Sequence, residues 1–169
     1  MLDGRGTAIV TSGMLAAVML AFRCPEWLHA DSWRVALVHH FFHANVFHLA
    51  VNCLSLWLML SVPSVRIGWR DILAAYACAT ASWFFATRDV VGASNFIFAL
   101  AGLRTPSFRS GWWRRSSVKT FLAVTVFMAV FPQVSALTHI VSFGLGCVFS
   151  AAFRTFNRIS HDLARISSH

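Results

Sequence analysis

The stretch "HHFFHANVFHLAVN", residues 39–52, sets four imidazoles (His39, His40, His43 and His48) and the carboxamide of Asn52 at the mouth of an apolar run, "CLSLWLMLSV". His48 and Asn52 are four residues apart, so on a helix they share one face. Polar groups beside or inside an apolar helix cost free energy to dehydrate, and mark function by default.

Composition gives these residues their setting. Hydrophobic residues make up 57% of the 169, charged residues only 12%, and mean hydropathy is +0.65. A soluble domain carries roughly twice that charged share, and a chain of this length holds one domain. The net charge of +8 would suit nucleic acid, but the basic residues lie between apolar runs instead of along one face. Membrane topology explains them better. Cys24, Cys53, Cys78 and Cys147 are widely spaced, three of them within apolar runs. They read as reduced, buried thiols, with no disulfide framework or metal motif.

Six apolar segments stand between the charges, at 7–22, 43–62, 72–86, 90–103, 120–134 and 138–153. Most are shorter than the ~20 residues of a full crossing, which predicts a compact bundle with some helix ends below the membrane surface. The first run follows Arg5 as a signal peptide would. It lacks a small-x-small cleavage site, and the expectation is that it stays as a membrane helix. Residues 104–119, "RTPSFRSGWWRRSSVK", form the longest polar connection, and Trp112 and Trp113 suit a membrane interface.

Charge orients the bundle. With the N-terminus inside, the inner segments hold Arg5, Arg66, Arg70, Arg104, Arg109, Arg114, Arg115, Lys119, Arg154, Arg158 and Arg165. The outer ones hold only Arg23, Arg34 and Arg88. Six spans with both termini cytoplasmic satisfy the positive-inside tendency. The expectation is an all-α, multi-pass protein of the plasma (inner) membrane, with a six-helix membrane domain over 1–153. A short basic amphipathic tail, 154–169, would lie along the inner surface.

Three polar residues then stand out within the spans: Asn52, Ser94 in "VVGASNFIFALAG", and His139 in "LTHIVSFGLG". At 1.5 Å per residue, Ser94 lies ~15 Å above Arg104, His139 ~22 Å above Arg154, and Asn52 ~21 Å above Arg66. In a hydrocarbon core of about 30 Å all three reach one level at or above the midplane. A serine and an imidazole at one depth suggest nucleophile and general base. None of the six carboxylates lies within a span, so the chemistry would run on a dyad. Ser94 opens a helix after Gly92-Ala93, where unpaired N–H groups face a developing oxyanion. His48 and Asn52 would add side-chain donors.

In this order the motifs resemble the rhomboid family of intramembrane serine proteases, from Trp33 to Gly146. Trp33-Arg34 resembles the family's pair in the first outer loop, and "HANVFHLAVN" its second-helix oxyanion motif. "GAS" at 92–94 resembles the Gly-x-Ser-Gly nucleophile motif, and "HIVSFGLG" the sixth-helix base motif. The resemblance implies a six-helix rhomboid-like bundle with Ser94 as nucleophile and His139 as base. His48, Asn52 and the Ser94 amide would be the oxyanion donors. Gly92, Phe98 and His43 would be supporting residues, Phe98 by packing on the base. It implies transmembrane protein substrates in the lipid bilayer, cut near the outer face, with no cofactor and no nucleic acid. Asn95 stands where the family has glycine, adding bulk and an amide beside the oxyanion site. Ser142 replaces the first of the sixth helix's two glycines, leaving Gly146 for close packing.

Two other readings stand beside this one. A rhomboid-like protein without activity would bind transmembrane helices uncut. A histidine-ligated metal or haem protein would use "HHFFH", since imidazoles one turn apart can share a metal. His39 and His40 themselves read as interfacial, solvated or loop-packing residues, and His43 as support for the loop.

Overall fold

A computed structural model describes residues 33–60, 67–86, 91–104 and 135–166, together with Gly13. Every element among them is helical. Apart from Gly13 and Arg104, the apolar runs at 7–22 and 120–134 and the connection 104–119, with Trp112 and Trp113, lie outside the described residues.

Helix α1, Trp33–Val38, runs into a 3-10 turn, His39–Phe41, and then α2, Val46–Leu60. Asn45 starts α2: its side-chain oxygen accepts the His48 N–H at 2.8 Å, an N-cap that satisfies one of the helix's unpaired donors. Helix α3, Trp69–Trp83, starts after Gly68, whose N–H donates to Asp71 Oδ2 at 2.7 Å. That carboxylate also pairs with Arg104 at the end of α4, Ser94–Leu103. One acid therefore closes the start of α3 and ties it to the end of α4. The last helix, α5, runs unbroken over Ala136–Ile166.

The core joins Leu56 and Met59 of α2 to Ala74, Ala75, Cys78 and Ala79 of α3, and to Ile97, Ala99, Leu100, Ala101 and Leu103 of α4. The α3 face is made of small residues, the composition that lets membrane helices approach closely. Glycines bring α4 and α5 closer still. A Cβ on Gly102 would run into the Phe143 carbonyl, and one on Gly146 into the Ala99 carbonyl. The first residue of α4, Ser94, meets His139 near the start of α5, and Gly102 near the end of α4 meets Phe143 and Cys147 further along, so the two helices run in the same direction.

Large apolar side chains point outward. Val46, Phe47, Leu73, Ile140, Val148 and Phe153 are all exposed, while His39, His40, His43, Asn52, Ser82, Asn95, Thr138 and Ser142 are buried. Exposed apolar surface on this scale calls for a partner or a membrane.

Helix boundaries differ from those read in the sequence. The run expected at 72–86 becomes helix at Trp69, and the run at 90–103 becomes helix only at Ser94. The segment expected to end at 153 continues as helix to Ile166, so the first part of the basic tail extends the last helix. Among the described residues only α5 is long and apolar enough to cross a membrane alone. Trp33–Phe41 and Val46–Met59, bent by 77°, add a second span if counted together.

Candidate active site

The turn at 91–93 that precedes α4 organises the site. Gly92 has φ +107, a conformation that glycine adopts without steric penalty. A Cβ there would fall 2.6 Å from His48 Cε1, 2.8 Å from His48 Nε2 and 3.2 Å from Asn52 Nδ2. The shared face of His48 and Asn52 thus abuts this backbone turn. Asn52 is buried, and its Nδ2 has no hydrogen-bond partner. An unmatched donor beside the turn that carries Ser94 is what an oxyanion site requires.

The loop before α2 holds the turn from the other side. The Gly92 N–H donates to the His39 carbonyl at 2.9 Å, and the Ala93 N–H donates to His43 Nε2 at 3.4 Å. His43 in turn packs edge-on against His48, with ring centroids 5.3 Å apart. His39 and His40 are buried, with 0% and 3% exposure, so of the expected interfacial, solvated and loop-packing places they take the last. His39 Nδ1 donates to the Ala36 carbonyl at 2.9 Å, and His40 Nε2 approaches the Thr80 hydroxyl at 3.4 Å. Both rings are packing elements of the loop.

Ser94 is the first residue of α4, where a backbone N–H has no intrahelical acceptor. Its Oγ lies 2.8 Å from Nε2 of His139 on α5. Phe98, one turn on, stacks on the same imidazole at 4.5 Å between centroids and 6° between planes. The ring is therefore fixed by a hydrogen bond at its edge and an aromatic plane on its face. With Nε2 unprotonated, that imidazole can accept the serine proton.

No carboxylate joins the pair among the described residues. Asp71 is engaged with Gly68 and Arg104, and Asp162 lies on the exposed end of α5. Nor do three histidine, cysteine or acidic side chains converge into a metal-ligand group among those residues, so the metal reading finds no donor set there.

Two residues escaped the sequence reading. Asn45 caps α2 at the level of His48, a signal present as Asn followed three residues later by the capped position. Ser82 of α3 accepts a hydrogen bond from Ser142 Oγ at 2.6 Å and donates to the Ala79 carbonyl at 2.7 Å. A lone serine in an apolar run carries no periodic mark of such a role. The Asn95 side chain is fully buried.

A helical body whose outside is apolar and whose polar groups are gathered within is that of an integral membrane protein. The Rhomboid domain family matches residues 29–156, and the chain belongs to the rhomboid family. Its members are intramembrane serine proteases or inactive relatives of them. Among curated proteins, none matches the sequence.

Proposed function

We propose that the chain is an active intramembrane serine endopeptidase with a Ser94–His139 dyad. Ser94 Oγ attacks the scissile carbonyl carbon while His139 Nε2 takes the hydroxyl proton. The Ser94 N–H, Asn52 Nδ2 and His48 stabilise the tetrahedral oxyanion. As the C–N bond breaks, His139 returns the proton to the leaving amine, and an acyl ester remains on Ser94. Water then attacks that ester, with His139 accepting its proton, and the serine is released.

The observation that carries this reading is the 2.8 Å approach of Ser94 Oγ to His139 Nε2. An inert packing serine has no need of an imidazole clamped against a parallel aromatic ring. The charge pattern supports six spans with both termini cytoplasmic, in the plasma membrane, and a site facing outward. Substrates would be single-pass membrane proteins that unwind near the outer boundary, because an intact helix keeps its carbonyls in its own hydrogen bonds.

The test is labelling of the full chain in detergent by a fluorophosphonate, with Ser94→Ala and His139→Ala as controls. Labelling that both substitutions abolish supports the dyad. A wild-type chain that takes no label, while correctly folded, belongs to the inactive class.

A further inference from the structure

Asn95 and Ser142, the two positions where this chain departs from the glycines of its family's motifs, belong to one place in the fold. On α4, Asn95 lies along the stripe of Ala99 and Gly102, both of which pack on α5. On α5, Ser142 lies one turn before Gly146, and Gly146 nests against Ala99 and Leu103. Since the helices run in the same direction, stepping back one turn sets Ser142 opposite Asn95 and Ala99. Ser82 of α3 completes the level through its 2.6 Å bond with Ser142. All three side chains have 0% exposure.

The carboxamide of Asn95 is unmatched at both ends: neither Nδ2 nor Oδ1 has a hydrogen-bond partner. Burying an amide in that condition is strongly unfavourable. Buried polar groups that lack a protein partner are ordinarily satisfied by an ordered water with two to four polar contacts. Ser142 and Ser82 retain acceptor lone pairs for such a molecule.

We infer that Asn95, Ser142 and Ser82 bind a buried water where α3, α4 and α5 meet, one residue behind the nucleophile. Through it Asn95 acts as a positioning residue. It locks the first turn of α4 to α5 and so maintains the separation of Ser94 from His139. The positioning role rests on the dyad proposed above; the water site does not.

The experiment follows thermal unfolding and fluorophosphonate labelling of the full chain in detergent. Asn95→Leu keeps the volume and removes every donor and acceptor. It should lower the unfolding midpoint by about 4 °C or more. It should also cut the saturating labelling rate on the order of tenfold, with the half-saturating probe concentration unchanged. A raised or unchanged midpoint would show an amide without a partner, and would overturn the water site. A lowered midpoint with an unchanged saturating rate would overturn the positioning role.

A double-mutant cycle supplies the second measurement. Asn95→Gly and Ser142→Gly should each lower the midpoint, and the paired variant, which restores the family's glycines, should fall less than the sum of the two. Additive losses would mean that the residues share no water. If the wild-type chain is not labelled at all, the dyad fails, while the unfolding cycle still decides the water site.

Discussion

The imidazole of His48 occupies the space that a side chain on residue 92 would need, 2.6 Å from the ideal Cβ position. The glycine of the turn before Ser94 is thus fixed twice, by its φ of +107 and by the ring against it. Gly92→Ala should cost about 1–3 kcal/mol from backbone strain alone, and displacement of His48 adds to this. The expected result is a lower unfolding midpoint with loss of Ser94 labelling. A variant as stable and reactive as wild type would show that the turn tolerates both constraints.

Asn52 presents an unpartnered Nδ2 toward the same turn. Asn52→Ala should slow peptide cleavage on the order of 10²-fold while leaving the fold intact, because no hydrogen bond from that Nδ2 is lost in the resting protein. Cleavage of a membrane-embedded reporter at the wild-type rate would reduce Asn52 to a packing residue.

Acid should silence the site reversibly. An imidazolium has no lone pair for the serine proton, so once His139 is protonated the labelling rate falls about tenfold for each pH unit. Rate rises with pH through that titration and then levels. Return to neutral pH must restore activity, which separates protonation from unfolding. A flat profile across the range where histidine titrates would remove the imidazole as base.

Gly146→Val tests the packing of α4 on α5. Its Cβ would meet the Ala99 carbonyl and come within 2.9 Å of the Leu103 N–H, and backbone atoms cannot yield as a flexible side chain can. Overpacking of this kind costs about 1–3 kcal/mol, read as a fall in the unfolding midpoint in detergent. An unchanged midpoint would mean that the helices can separate without penalty.

The parts of the site that sequence revealed were those with a geometric rule behind them. Spacing of four put His48 and Asn52 on one face, and counting 1.5 Å steps put Ser94 and His139 at one depth. What escaped had no such rule. Hydropathy falls at Arg154, which suggested an end to the helix there, yet no glycine or proline occurs between Gly146 and His169 to break it, and α5 continues to Ile166. Nothing in two adjacent imidazoles decides between an interfacial, a solvated and a loop-packing place for His39 and His40. In the fold, the His39 ring folds back so that its Nδ1 donates to the Ala36 carbonyl, and both imidazoles are buried. The bond between Ser142 and Ser82 spans 60 residues, a distance that no local pattern reports.

Helix α4 has ten residues, a rise of about 15 Å. A helix of that length reaches only about halfway across a hydrocarbon core of ~30 Å, and its first turn presents peptide N–H groups that hydrocarbon cannot satisfy. A start of that kind calls for polar company. If the proposed dyad cuts peptides, a helix too short to stay dry would admit the water that it consumes.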